Sequence, residues 1–211
     1  MDITNPDQAS ASEYANQFPN LVHQTGAATY NYLFGPDRVL FEVFMKQSWV
    51  APKNLFSHSE TTIISDGSTL LGIELGYGGS DWYKFHSSGG EVIGKLFEAG
   101  SLTEEGLVAL GERLNLISYM NPHIPDHAYY ITALSVAASA RGTGLGAKLL
   151  TNAIDRASRD GYKELHLDVF SDNPAVKFYQ SMGLTCMSET VAPIPCREHN
   201  IPMEMRMVIA L

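Results

Sequence analysis

Ala140-Arg141-Gly142-Thr143-Gly144-Leu145-Gly146-Ala147-Lys148-Leu149 is the stretch on which the reading of this chain turns. It lies between an apolar run, Tyr130 to Val136, and a segment whose apolar residues Leu145, Leu149, Leu150, Ala153, Ile154 and Ala157 recur at helical spacing. Three glycines in five residues let the backbone approach a ligand with its N–H groups exposed. The helix that follows turns its positive end on the same point, worth roughly 0.3–1 kcal/mol per facing anionic group. Arg141 and Lys148 add full charges. Such a turn suits a pyrophosphate. The plain alternative is a turn that needed small residues to open a helix.

Downstream of the turn, the helix is expected over 143–159, ended by Gly161. Leu165, Leu167 and Val169 then alternate with His166 and Asp168 as a strand. Asn173-Pro174 opens a further helix and Met182-Gly183 closes it. The runs 184–189 and 203–210 read as a final strand pair joined by a Pro-rich loop. Upstream, a short strand is expected at 2–5 and a weak helix at 8–17. Further helices are expected from Pro19 to about Phe34 and from Asp37 to about Ser48. Thr61–Ser65 and Leu70–Tyr77 flank Asp66-Gly67 as a hairpin with a tight turn. Gly/Ser-rich stretches at 78–80 and 87–90 sit within a mostly helical insertion over 78–127. There Ser101-Leu102-Thr103-Glu104 reads as a capping box, and Leu107, Leu110, Leu114 and Ile117 form a core stripe. The alternation of strand and helix implies an α/β layered sheet in one domain over 1–211.

Three phosphate-binding patterns compete for this chain. Gly89-x-x-x-x-Gly94-Lys95 has the spacing of a Walker loop, but Leu96 stands where Ser or Thr would hold magnesium, and no strand precedes it. Gly142-x-Gly144-x-x-Ala147 fits a relaxed dinucleotide fingerprint, with Asp168 about 20 residues later at a strand end. Against that pattern, too little chain follows for the usual run of parallel strands, and a hairpin precedes the turn. The third pattern covers more residues. Leu134-Ser135-Val136 and then Arg141-x-x-Gly144-x-Gly146 resemble the (Q/R)-x-x-G-x-(G/A) motif of the GNAT superfamily of N-acetyltransferases. Leu165–Val169 and Asn173-Pro174-Ala175-Val176-Lys177-Phe178-Tyr179-Gln180-Ser181-Met182-Gly183-Leu184 resemble its next strand and helix, with Leu184 where Phe is usual. Val22 to Gly35 is similar to a bacterial branch of the same superfamily.

The resemblance implies a mixed, mostly antiparallel α+β sheet flanked by helices and splayed near Val136 to admit acetyl-CoA. On this reading Arg141, Gly142, Thr143, Gly144, Leu145 and Gly146 bind the pyrophosphate. Leu134, Ser135 and Val136 pair with the pantetheine arm, and the Val136 N–H lies near the thioester carbonyl as an oxyanion donor. Asn173 contacts the cofactor while capping its helix, Phe178 packs beside it, and Tyr179 is the general acid. The superfamily often places a Glu before the turn. Here Tyr129, Tyr130, Ile131 and Thr132 stand there, leaving Asp126, His127 and Glu74 as candidate bases.

Composition bounds the partners. The 211 residues carry a formal net charge of −9, which repels nucleic acid and anionic lipid and favours a cationic substrate. The implied acceptor is a primary amine of a small molecule or a peptide. Cys186 and Cys196, ten apart, are close enough in sequence to face each other across a hairpin, but nothing else indicates a disulfide framework. The histidines form no metal-binding spacing, and no GxSxG elbow occurs. The first residues have neither a basic segment nor an apolar run, and no stretch is long and apolar enough for a membrane span, so a cytoplasmic protein is expected. A homodimer through the last strands stays open. So do two other functions: an acyl-CoA-binding sensor without catalysis, and an NAD(P)-dependent oxidoreductase.

Overall fold

The computed structural model describes residues 2–120 and 123–211; Asn121 and Pro122, inside the expected insertion, lie outside them. A short strand β1 (Ile3–Thr4) leads into four helices: α1 (Gln8–Tyr14), α2 (Phe18–His23), α3 (Ala27–Phe34) and α4 (Val39–Val50). The helix expected from Pro19 to Phe34 is therefore two. Thr25 turns its hydroxyl back onto the Val22 carbonyl at 2.8 Å, and Gly26 leaves helical geometry with φ −159°. The hairpin of β2 (Thr61–Ser65) and β3 (Leu70–Gly78) forms as expected. Its connection is longer than the tight Asp66-Gly67 turn, because the Asp66 N–H donates to Thr69 O and the Thr69 N–H to the Asp66 carboxylate.

Two long helices follow, α5 (Trp82–Glu98) and α6 (Glu104–Ile117). α5 runs straight through Ser87-Ser88-Gly89-Gly90 and through the Walker-like spacing, which is therefore no phosphate loop. The cap of α6 is Thr103, whose hydroxyl accepts from the Gly106 N–H at 3.1 Å, rather than Ser101. On the α6 stripe, Leu110 and Ile117 are buried, but Leu107 and Leu114 stay 36% and 38% exposed, so the stripe is core in part only.

The rest comprises β4 (Ala128–Val136), α7 (Leu145–Arg159), β5 (Glu164–Phe170), α8 (Ala175–Ser181), β6 (Thr185–Thr190), α9 (Pro193–His199) and β7 (Glu204–Ala210). Helix α9 occupies the expected Pro-rich loop. Pro193 falls in the first turn of α9, where a missing N–H costs nothing. Cys196 lies on that helix and Cys186 on β6, both as free thiols, so they do not face each other across a hairpin.

The strands order as β1-β2-β3-β4-β5-β7-β6, a mixed and mostly antiparallel sheet in which β4 and β5 pair parallel. That order lacks the run of parallel strands a dinucleotide fold requires. Helices cover both faces. One face packs Leu149, Leu150, Ala153 and Ala157 of α7 against the sheet, close enough that a Cβ on Gly72 would stand 3.0 Å from Leu149. The other face carries α1 to α6 over Ile73, Leu75 and Tyr77. Because β5 is covered on both sides, His166 is as fully buried as Leu165.

The sheet splits in its middle. β4 and β5 stay in register from Ala128↔Glu164 to Ile131↔Leu167 and no further. At the same level the β3–β4 register shifts: Leu75 faces Ala133 and Gly76 faces Ile131, leaving Thr132 as the extra residue of a bulge. A bulge bends its strand and steepens its twist. Here it turns the end of β4 away from β5 and opens a cleft between them.

Candidate active site

The cleft beyond Thr132 is a cavity of about 340 Å³. Leu134, Ser135 and Val136 line one side; Asn173 and Tyr179 line the other; Arg141 closes one end. Ala137 N–H bonds to Leu71 O, so in this antiparallel register the peptide groups of Ser135 face β3. Those of Leu134 and Val136 face the cleft instead, as an unpaired strand edge.

The turn has the geometry its glycines allow. Gly142 and Gly144 sit at φ 76° and 86°, a left-handed conformation that costs other residues about 1–2 kcal/mol. α7 begins at Leu145, two residues later than expected, so Thr143 is part of the turn and its hydroxyl donates to Ala140 O at 2.6 Å. Among the described residues the backbone N–H groups of Gly142 through Ala147 have no backbone acceptor; Lys148 N–H is the first that does, to Gly144 O. These six donors span the turn and the first residues of a 15-residue helix, an arrangement suited to an anion. Arg141 donates from Nε to Val136 O at 3.2 Å and from Nη2 to the Gln24 side chain. Phe178 lies against the first turn of α7, its ring 3.7 Å from where a Gly146 Cβ would stand. The Asn173 carboxamide accepts from the Ala175 N–H at 2.9 Å, capping α8.

Tyr179 is 7% exposed and faces the cleft, and its hydroxyl has no protein partner among the described residues. Burial pushes its pKa up to about 12, so the phenol keeps its proton at neutral pH.

On the opposite side of the splay lies a larger cavity of about 470 Å³. It meets the cleft at Thr25, Thr132 and Asp168, which line both. Its floor is the face of the sheet bearing Tyr77, Tyr130, Asp168 and Glu204, and its roof comes from α3 to α6. Arg206 holds Asp168 through Nε and Nη2, and the Tyr130 hydroxyl donates to the same carboxylate at 2.8 Å. Glu204, two residues from Arg206 along β7, makes no side-chain ion pair or hydrogen bond among the described residues. Burial, reinforced by the charge of Asp168, pushes its pKa up to about 8, with Arg206 opposing.

None of the three bases considered from sequence reaches this junction. The Glu74 carboxylate lies fully buried under α7, ion-paired to Arg156 at 2.8 Å and accepting from the Tyr129 hydroxyl at 3.0 Å. Asp126 and His127 are exposed just before the start of β4, and His127 is 3.5 Å from Glu164. Thr132 lies at least four strand residues further on, roughly 13 Å at 3.3 Å per residue. Glu204 was not a candidate on sequence, although Glu204 and Arg206, charged at a two-residue spacing in the otherwise apolar run Met203–Ala210, were a readable sign of a polar site on one strand face.

Comparison with known proteins agrees with this architecture. Residues 82–184 match the family described as Acetyltransferase (GNAT) family. None of the proteins with curated descriptions matches the sequence. Among solved structures, an N-acetyltransferase from Staphylococcus aureus Mu50 superposes with a TM-score of 0.70 at 16% identity, over 99% of this chain and 100% of that one. A mosquito arylalkylamine N-acetyltransferase like 5b gives 0.58 at 18% identity, over 100% and 99%. A GCN5-related N-acetyltransferase from Kribbella flavida gives 0.56 at 19% identity, over 100% and 97%. Residues 82–184 thus match the acetyltransferase (GNAT) family, within a fold shared with N-acetyltransferases of known structure.

Proposed function

We propose that this protein transfers an acetyl group from acetyl-CoA to a primary amine. The observation that carries the reading is the split sheet, with a donor-rich glycine turn at one end of the cleft and a separate cavity meeting it at Thr132 and Asp168. The residues present suit the cofactor. The unpaired N–H groups of Gly142, Thr143, Gly144, Leu145 and Gly146, with Arg141, suit a pyrophosphate. The free edge of Leu134 and Val136 suits an amide-bearing arm that adds like a strand, with Ser135 between them held to β3. Asn173, just before α8, lines the cleft, and Phe178 on α8 packs against the first turn of α7 beside it.

Bound acetyl-CoA supplies an acyl carbon on a thiol leaving group; with an acceptor ammonium the products are an amide, a free thiol and one proton. The Val136 carbonyl is already engaged by Arg141 beside the turn, about four residues from the splay point. That bond leaves the Val136 N–H, on the same free edge as that of Leu134, open to serve as the oxyanion donor. Tyr179 donates a hydrogen bond to the leaving sulfur. A phenol raised to about 12 does not surrender its proton to a thiolate whose conjugate acid sits near 8.5, so the Tyr179 role is charge stabilisation and not full transfer. α5 and α6, through Trp82, Ile93 and Leu110, wall the acceptor cavity. Free Cys186 and Cys196 accord with a reducing, cytoplasmic setting.

Amine-dependent release of CoA thiol from acetyl-CoA tests this reading. Thiol release that needs both the protein and an amine supports it. Acetyl-CoA binding without any transfer across an amine panel would leave a sensor in its place.

A further inference from the structure

Resting on the transfer reading above, we propose that the acceptor is a primary amine on a bulky, ring-bearing apolar body. The body fills the 470 Å³ cavity, and Glu204 receives the proton of its ammonium group. The roof and sides of the cavity are aromatic and aliphatic: Tyr30, Phe34, Phe44, Phe56, Trp82 and Ile93. Their rings pack on one another, Phe34 on Phe44 at 5.1 Å and Phe44 on Phe56 at 6.1 Å, and the polar side chains among them, Thr29, Asn54 and His86, carry no full negative charge. The volume falls within the range that encloses a drug-sized ligand, about 300–1,000 Å³. An acetyl acceptor with a short alkyl chain would leave most of it to water against apolar walls.

The polar groups gather at the opposite end, where the cavity meets the cleft. The titratable and charged groups around Glu204 are Asp168 on β5, Arg206 on its own strand, Tyr130 on β4, Tyr77 on β3, Tyr30 on α3 and His86 on α5. Asp168 and Arg206 neutralise each other through two bonds of 2.6 and 2.8 Å. Tyr77 accepts from Thr132 and Tyr130 donates to Asp168. Among the described residues, Glu204 is left as the cavity carboxyl with no hydrogen bond or ion pair. One unpaired carboxyl matches one ammonium, whereas a polyamine carries several cations and free lysine brings its own carboxylate into an apolar space. The proton passes from the ammonium nitrogen to a Glu204 oxygen and leaves the nitrogen lone pair free to attack. Burial holds Glu204 at about 8, between neutral pH and an amine near 10.4, which suits a proton acceptor working near neutrality.

Two glycines line the cavity on α5. Gly89 and Gly90 line it from the middle of α5, and a Cβ on either would meet nothing within 4 Å. Glycine there is unfavourable to the helix by about 1 kcal/mol each relative to alanine. A side chain can therefore be added at Gly89 without a clash.

The test is calorimetric titration of the full chain, without acyl donor, with 2-phenylethylamine, spermidine and lysine, beside a separate titration with acetyl-CoA. We expect 2-phenylethylamine to bind at least tenfold more tightly than the other two. Gly89→Leu, a substitution that favours the helix, should weaken it tenfold or more with acetyl-CoA affinity unchanged. In the transfer assay, Glu204→Gln should abolish the rise of kcat/KM with pH centred near 8. Equal or tighter binding of spermidine or lysine overturns the proposal, as does indifference to Gly89→Leu or an unchanged pH profile in Glu204→Gln. Acetyl-CoA binding with no amine binding sinks this inference alone. Amine binding with no acetyl-CoA binding removes the transfer reading, and the proton-accepting role of Glu204 falls with it.

Discussion

Arg206 grips both carboxylate oxygens of Asp168, at 2.6 and 2.8 Å, across a single register pair of β7 and β5. Both side chains are buried, and they stand where the cleft and the larger cavity meet. The pair cancels one charge of each sign at the centre of the site. Glu204 beside them then becomes the functional carboxyl, and Asp168 a structural one.

Breaking that pair from one side strands a charge in the interior. Arg206→Met should destabilise the protein by about 3–5 kcal/mol in urea unfolding, whereas the double change with Asp168→Asn should cost clearly less. A loss under about 1 kcal/mol for the single variant would mean that water reaches the pair freely.

Glu204 makes a stability prediction with a definite sign. Its carboxyl titrates near 4.5 in the unfolded chain and about 8 in the fold, so the folded state holds the proton more tightly. The stability this provides is complete below about 4.5 and is lost as pH rises to about 8. Glu204→Gln should therefore raise Tm at pH 8.5 by several degrees and leave the relative Tm little changed near pH 4. A Tm difference that does not vary with pH would contradict a half-buried Glu204 carboxyl that has no partner among the described residues.

Tyr179→Phe should lower turnover about 10²-fold, at the low end for a group that stabilises a departing charge. Acetyl-CoA affinity, measured by titration, should stay within a factor of two, because the ring remains in place against Phe178. An unchanged rate would return Tyr179 to plain packing.

The parts of the fold that were legible in the sequence are those whose causes are local. Arg141 to Gly146 and Asn173 to Gly183 carry glycine and Asx-Pro signals that act within a turn or two, and both lie where they were expected. What escaped depended on competition or distance. Two cap residues stood close together, and Thr103 won over Ser101 because the helix began one residue after it. A Thr-Gly pair broke a helix whose apolar spacing ran on regardless. Glu204 faces Phe170 across strands 34 residues apart, a pairing no local pattern encodes, and its burial depends on α3 to α6 as well.

The central claim is that the turn at 141–146 holds the anionic part of acetyl-CoA, and calorimetric titration with acetyl-CoA tests it most directly, with NADH as the rival ligand. At Gly144 there is open space for a side chain, so Gly144→Glu introduces a carboxylate before the helix at the cost of about 1–2 kcal/mol of backbone strain, without a clash. We predict micromolar binding of acetyl-CoA to the native chain, none to Gly144→Glu and none of NADH to either. Equal binding by the variant, or a preference for NADH, would contradict the account.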